Sequence, residues 1–191
     1  HLTIDGLHMD YVHAAHTKRA EAERAKATVH TAQSINANED TLVRVEEIRI
    51  DGGELGFVNQ AATPEYRVYL TDADVTLEHY SNQLREGPAS MTIHGKFMGT
   101  GETRISAILR PPEDSPDIEL KIKIAGTQIR SMNNLLRAYG KFDVVAGLFS
   151  CYSEIRLDDG SIRGYVKPLV RKLNVYDPAQ VTAAGLEYHG I

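Results

Sequence analysis

The side chains that could carry a reaction in this chain are few, and the sequence does not bring them together. His13 and His16 are three residues apart and could bind a metal if their segment is helical. Asp72 and Asp74 form an Asp-x-Asp pair, which in another context suggests a divalent cation and a sugar nucleotide. The single cysteine, Cys151, falls on the apolar positions of an alternating run, which favours a buried small side chain over a nucleophile.

Each of these features has an ordinary structural interpretation. No cysteine stands near the histidine pair, and the aspartate pair lies between two strand-like runs, where it fits the polar face of a strand or a bend. The chain has no P-loop and no GxGxxG, HExxH or GxSxG motif. We therefore expect no catalytic residues, no metal ligands and no cofactor, and we expect that the protein is not an enzyme.

Composition narrows the classes of function. The formal net charge is -5, which argues against a dedicated nucleic-acid binder, since such proteins normally present a dominant basic face. No run approaches the ~18 to 20 apolar residues of a membrane span, and the N-terminus does not resemble a signal peptide. The chain begins without methionine in a strand-like pattern, so we interpret it as an excerpt of a longer protein.

Most of the chain after residue 40 alternates between apolar and polar residues, which is typical of strands with one buried face. The clearest case is DIELKIKI at residues 117–124, where the aliphatic residues share one face and the charged residues share the other. The Gly99-Thr100-Gly101 stretch predicts a turn between two such strands. We expect one common apolar surface formed by Met91, Ile93, Phe97, Ile105, Leu109, Ile118, Leu120, Ile122, Ile124, Phe149 and Ile155.

One phrase occurs three times. LTIDGLHMDYV at residues 2–12 aligns without a gap on IRIDGGELGFV at residues 48–58, and IRLDDGSIRGYV at residues 155–166 needs one extra residue. Asp-Gly is a strong hairpin signal, so each copy predicts a β-hairpin. The likeness fits either three unrelated hairpins, since few sequence patterns form a tight hairpin, or a true repeat in a stacked β architecture.

Two helices are predicted. Residues 13–34 are rich in Ala, Glu, Lys and Arg and should form an Ala-rich N-terminal helix that offers only a shallow apolar strip. A shorter helix is expected near 131–139, with Ser131 as its N-cap and Gly140 at its end. We divide this excerpt, residues 1–191, into a hairpin with the Ala-rich helix at 1–40, an antiparallel β region at 41–178 and a tail at 179–191.

The excess of one-sided strands over helices poses a physical problem. Burying a large aliphatic side chain contributes roughly 1.5 to 3 kcal/mol, so the apolar face of such a sheet must be covered. A second sheet could cover it, which would give a closed sandwich or barrel, or the sheet could curve strongly and hold lipid acyl chains. Periodicity does not separate these alternatives. The expected fold class is mainly β (α+β), with an extended, curved antiparallel sheet of repeating hairpins.

A basic stretch near the C-terminus is the remaining candidate site. Residues 160–176 contain no acidic residue but include Arg163, Lys167, Arg171 and Lys172. These side chains could simply solvate the outer face of a strand pair. Alternatively they could contact anionic lipid head groups or a negatively charged partner, where each basic residue contributes about 1 kcal/mol.

Three segments resemble the AsmA-like proteins of the bacterial envelope, in the AsmA/TamB superfamily. They are NNLLRAYGKFDVVAGLFSCYSEIRLDDGSIRGYVKPLVRKLNVYDP at 133–178, ELGFVN at 54–59 and HGKFMGTGETRISAILRPP at 94–112. The resemblance covers most of residues 40–178, is most specific in the GYVKPL block, and points to a branch known as a domain of unknown function. The excerpt departs from the family pattern because it contains neither the membrane anchor nor a terminal domain.

The resemblance implies a periplasmic β-groove module of a protein that is anchored to the inner membrane through segments outside this chain. It implies phospholipid as the partner, with other envelope proteins as further partners, and a role in lipid transport between the membranes or in outer-membrane biogenesis. It implies no known catalytic residues, and the net charge already argues against nucleic acid as a partner. The alternative kept beside it is a closed β-sandwich that serves as a scaffold or interaction module of the envelope without bound lipid.

Overall fold

The computed structural model describes residues 1–14, 44–81, 87–110, 117–158 and 161–175. Most of these residues are in strands, which confirms the mainly β prediction. The strands are β1 Leu2–Asp5, β2 His8–His13, β3 Arg44–Asn59, β4 Tyr66–Ser81, β5 Ala89–Phe97, β6 Gly101–Arg110, β7 Asp117–Gln128, β8 Val144–Asp158 and β9 Ser161–Val175. Residues 15–34 of the predicted Ala-rich helix and the predicted tail at 179–191 lie outside the described residues.

All nine strands in the described ranges belong to one open sheet. Their order is β1-β3-β4-β5-β6-β7-β8-β9, and β2 also pairs with β3, so that β1 and β2 share one edge and β9 forms the other. From β3 to β9 each neighbouring pair is antiparallel. The described strands therefore form one hydrogen-bonded sheet, and its two edges are not paired with each other.

The predicted alternation is confirmed along β7. Ile118, Leu120 and Ile122 are paired with residues of the same sheet face on β6 and β8, whereas Lys121 and Lys123 are exposed on the other face. The predicted turn between β5 and β6 is also present, since β5 ends at Phe97 and β6 begins at Gly101. The side-chain period of two is therefore sufficient to orient the central strands.

The repeated phrase has a different structural meaning in its first two copies, where the hairpin prediction is wrong. β1 and β2 both run parallel to β3, and their register is that of the sequence alignment, with Ile4 beside Ile50 and Tyr11 beside Phe57. Gly6 and Gly52 have φ values of 66° and 63°, so the two segments bend at the same point of the alignment instead of reversing direction. Two neighbouring strands in register must bend together to keep their pairing, which explains the shared Asp-Gly.

The third copy is a hairpin, as predicted. β8 ends at Asp158, β9 begins at Ser161, and these two residues face each other in an antiparallel pair. This hairpin lies at the opposite edge of the sheet from β1 and β2. Pro168 in β9 fits an edge strand, because proline has no backbone N–H to donate to a ladder and an edge strand has a neighbour on one side only.

One turn and one short helix connect β7 to β8. A 3-10 turn, Ile129–Met132, leads into α1, Asn133–Gly140, which agrees with the predicted second helix. The predicted N-cap is wrong, because Ser131 lies inside the 3-10 turn, where its hydroxyl donates to the Gln128 carbonyl at 2.7 Å. The helix ends at Gly140, and Lys141 takes the left-handed C-cap conformation.

The largest cluster of buried apolar side chains lies where this turn and helix meet the sheet. Met98, Ile129, Met132 and Val144 are each no more than 8% exposed. Side chains from β4, β5, β8 and α1 pack around them, namely Val68, Phe97, Phe149, Leu135 and Leu136. We call this end of the strands the helix end, and it is the part of the sheet that the described chain covers.

Candidate functional site

The predicted apolar surface forms one continuous face across the centre of the sheet. Strand register aligns its residues in rows that run from strand to strand. One row contains Ile4, Ile50, Val75, Ile93, Ile105 and Ile122, and the next contains Leu2, Ile48, Leu77, Met91, Ala107, Leu120 and Ile155. We call this surface the apolar face.

The large side chains of the apolar face are only half-buried. This holds for each predicted surface residue, namely Met91, Ile93, Phe97, Ile105, Leu109, Ile118, Leu120, Ile122, Ile124, Phe149 and Ile155. Small residues between them, such as Ala89 and Ala107, are buried. Toward the edge formed by β1 the face is more open, since Leu2 is 52% exposed. Of these residues, only Phe97 and Phe149 pack against the buried cluster at the helix end.

The opposite face of the sheet is charged and exposed to water. Arg110 binds the carboxylates of Asp117 and Glu119 at 3.3 and 3.2 Å, and the Lys121 ammonium lies 2.8 Å from Glu119. Hydrogen bonds from Lys121 and then Arg110 lower the pKa of the Glu119 carboxyl, and the same contact with Glu119 raises the pKa of Lys121. We call this surface the charged face. The contrast between the faces identifies the apolar face as the candidate binding surface.

An ion-pair cluster holds β2 in its parallel position. The Arg67 guanidinium donates to Asp10 of β2 at 2.8 Å and to Glu54 of β3 at 2.6 Å, and it lies 4.8 Å from the centre of the Tyr69 ring. Hydrogen bonding to Asp10, followed by that to Glu54, raises the pKa of Arg67 above its ordinary value, against the opposing effect of desolvation. Arg67 on β4 thus connects three neighbouring strands at this edge.

Aromatic residues line the helix end of the apolar face. Tyr11 stacks on Phe57 with ring centres 5.8 Å apart, and Tyr66 lies between Phe57 and Tyr139 of α1. The Tyr66 and Tyr139 hydroxyl groups are 3.1 Å apart, and the Asn59 side-chain amide donates to Tyr66 at 3.1 Å. This contact with Tyr66 raises the pKa of Tyr139. The network ties α1 to β3 and β4.

Three of the residues first considered for chemistry make structural contacts in the described part of the chain. Asp72 forms an ion pair with Lys96 at 2.9 Å, and the Asp74 carboxylate accepts a hydrogen bond from the Gly52 backbone at 3.0 Å. Cys151 is half-buried and pairs with Ile124 on the apolar face. His16 lies outside the described residues. Within the described ranges, no group of three His, Cys, Asp or Glu residues is arranged to hold a metal ion.

The four predicted head-group contacts lie on β9, but they do not form one site. Arg163 lines a cavity on the charged face, together with the carboxylates of Glu119 and Glu154 and two further cations. Lys167 faces Tyr152 near the middle of the strand. Arg171 and Lys172 lie at the helix end, where Lys172 lines a separate cavity of about 380 Å³.

One cation at the helix end was missed by sequence reasoning. Arg130 lines the same cavity as Lys172, although it belongs to the 3-10 turn and is 42 positions away in sequence (172 − 130). Its segment does carry a signal, because Asp143 is the only acidic residue from 124 to 153. The continuous basic stretch at 160–176 does not reveal this cation, because Arg130 stands on a separate element.

A scan against protein-family models, a search of curated proteins and a search of solved structures each found no match to this chain. The resemblance to AsmA-like proteins therefore stays a prediction from the quoted sequence blocks. Among the residues that the structure describes, no helix has the length and apolar character needed to cross a bilayer.

Proposed function

We propose that this chain is a non-enzymatic β-groove module of an AsmA-like envelope protein, located in the periplasm and anchored to the inner membrane through segments outside the chain. Its sheet curves around phospholipid acyl chains, which lie on the apolar face and are thereby shielded from water during transport between the membranes. Phospholipid is the partner, and the protein needs no cofactor or catalytic residue for this role.

The observation that carries the proposal is an apolar face whose large side chains stay partly exposed, on a sheet that is not closed in the described residues. Exposed apolar patches beyond a few hundred Å² are uncommon on soluble monomers and usually mark a binding surface. The row that contains Ile105 and Ile122 crosses the central strands without a charged side chain. Such a surface matches the chemistry of an acyl chain, which has no hydrogen-bonding group to satisfy.

The packing at the helix end supports curvature of the sheet toward its apolar face. β4 and β8 are four strand positions apart, a distance of about 19 Å in a flat sheet. Nevertheless, Val68 of β4 and Phe149 of β8 both pack against the one small buried cluster under α1. A sheet that bends around this cluster would be concave on the apolar side, as a groove requires.

The alternative of a closed β-sandwich needs a second sheet over the apolar face. The described strands supply one sheet, and its two edges are not joined to each other. A covering layer would therefore have to come from elsewhere. For this reason the observations favour lipid binding over a scaffold whose apolar face is closed by its own strands.

Native mass spectrometry of the gently purified protein tests this function. We expect mass adducts that correspond to phospholipid and that disappear after extraction with organic solvent, because acyl chains would occupy the partly exposed apolar face. Lipid identification in the extract would name the head group. A chain that carries no lipid when it is purified from membrane-containing cells would instead support the scaffold role.

A further inference from the structure

A basic cluster lies at the corner where the 3-10 turn, the start of β8 and the end of β9 meet. Arg130 and Lys172 line the cavity of about 380 Å³ together with Val145 and Leu148. Arg171 belongs to the same corner, because it pairs directly with Leu148 across β8 and β9. We call this cluster the basic corner.

The apolar residues of the basic corner are exposed beside its cations. Val145 is 49% exposed, Leu148 is 39% exposed, and Leu173, which follows Lys172, is 51% exposed. Gly147 contributes no side chain, so the cavity between these residues stays accessible. Large exposed aliphatic side chains next to cations are the combination found on surfaces that enter the head-group region of a bilayer.

The cations of the basic corner have no carboxylate partner among the described residues. The ion pairs that the described residues form do not include Arg130, Arg171 or Lys172. Among the described residues, the Asp143 carboxylate close to this corner in sequence forms an ion pair with Arg137 at 2.8 Å. On a chain with a formal charge of -5, the described residues at this corner therefore form a local region of positive charge without a paired carboxylate.

We propose that the basic corner docks onto the surface of a bilayer that contains anionic phospholipid. Arg130, Arg171 and Lys172 bind the phosphate groups, and Val145, Leu148 and Leu173 enter the adjacent interfacial layer. The docking site deepens the proposed function, because it names the surface at which the lipid carrier would meet the membrane. It rests on the proposed function only for the cargo, phospholipid. A protein partner would need acidic groups that match three cations, whereas an anionic bilayer presents phosphates on every lipid.

Vesicle binding tests this docking site. We expect the protein to co-sediment with vesicles of phosphatidylcholine and phosphatidylglycerol, to bind pure phosphatidylcholine vesicles far more weakly, and to dissociate as salt is raised. Each basic residue at an anionic surface contributes about fivefold in partitioning, so Arg130→Glu combined with Lys172→Glu should reduce binding about 25-fold or more. Leu148→Ser should weaken binding further without removing the dependence on anionic lipid.

The matched control is Arg104→Glu combined with Lys123→Glu. These two cations are directly paired on the charged face and line a cavity of about 280 Å³. Their replacement changes the net charge by the same amount as the double substitution at the basic corner. We expect the control to bind anionic vesicles nearly as well as the unchanged protein, with equal far-ultraviolet dichroism for all variants. An equal loss in both double variants, or no binding by the unchanged protein, would overturn the docking proposal.

The docking and carrier roles can fail separately. If the purified chain carries no phospholipid but still binds anionic vesicles, the groove function is wrong and the docking surface stands. Conversely, if the purified chain carries phospholipid but does not bind anionic vesicles, the groove function stands and the docking proposal is wrong. The two measurements use the same purified chain, so their outcomes can be compared directly.

Discussion

Leu120→Glu combined with Ile122→Glu is expected to lower the phospholipid that co-purifies with the protein more than tenfold. Both side chains belong to the apolar face and are half-buried in the centre of the sheet. A carboxylate in contact with acyl chains costs about 2.5 to 3.5 kcal/mol by membrane-insertion scales, which exceeds a factor of ten in binding for each substitution. The phospholipid bound per chain is measured by extraction and phosphorus analysis.

The matched control places the same two carboxylates on the charged face. Thr76 pairs with Arg49 and Ser106 pairs with Lys121, so each new glutamate would lie beside a cation. Thr76→Glu combined with Ser106→Glu should therefore leave the lipid content unchanged, while both double variants keep the strand signal in far-ultraviolet dichroism. Equal lipid content in the apolar-face variant and the unchanged protein would rule out the apolar face as the lipid site.

Truncation of two isoleucines should reveal which part of the apolar surface the chain itself packs. Ile129 is 5% exposed in the cluster under α1, whereas Ile122 is half-buried on the apolar face. We expect Ile129→Ala to lower the free energy of unfolding by about 3 to 4 kcal/mol, as for a buried aliphatic residue. Ile122→Ala should cost only about 1 kcal/mol in protein stripped of lipid, since little protein surrounds that side chain.

Urea denaturation of the lipid-free variants gives both free energies, and the shared chemistry of the two substitutions makes the comparison direct. Ile122→Ala should in addition show a larger cost when lipid is bound, because the ligand then packs against that position. A cost near 3 kcal/mol for both variants without lipid would mean that protein covers the apolar face. That result would favour the sandwich alternative.

The sheet was predictable where a pattern has one structural meaning. The alternation in residues 117–124 could only place its aliphatic residues on one face of a strand, and the glycines at 99 and 101 correctly predicted the turn between β5 and β6. The hairpin at the third phrase was also predicted correctly, because the chain continues directly from β8 into its partner β9.

The first two phrases could not be interpreted correctly from local sequence. A glycine with positive φ serves a hairpin turn and a strand bend equally well, so Gly6 and Gly52 carry no information about chain reversal. The direction of pairing depends on the end of the sheet at which β3 begins. β2 ends with His13 beside Asn59, the last residue of β3, whereas β3 begins with Arg44 at the opposite end of the strand. The alignment of the two phrases did contain their register, but not the direction of pairing.

The candidate site was predictable in its apolar part and not in its charged part. The residues of the apolar face follow from parity alone, because each strand obeys the same period. The basic corner joins Arg130 of the 3-10 turn to Lys172 of β9, and only the connection through α1 and β8 brings them to one cavity. A search for continuous basic stretches cannot find such a cluster.

Photo-crosslinking from two adjacent residues tests the central claim most directly. A photoreactive amino acid at position 122 would lie on the apolar face, and the same group at position 123, in place of the exposed Lys123, would lie on the charged face. If acyl chains occupy the apolar face, phospholipid crosslinks to position 122 and not to position 123. Absence of lipid crosslinks at position 122, or equal crosslinking at both positions, would contradict the account.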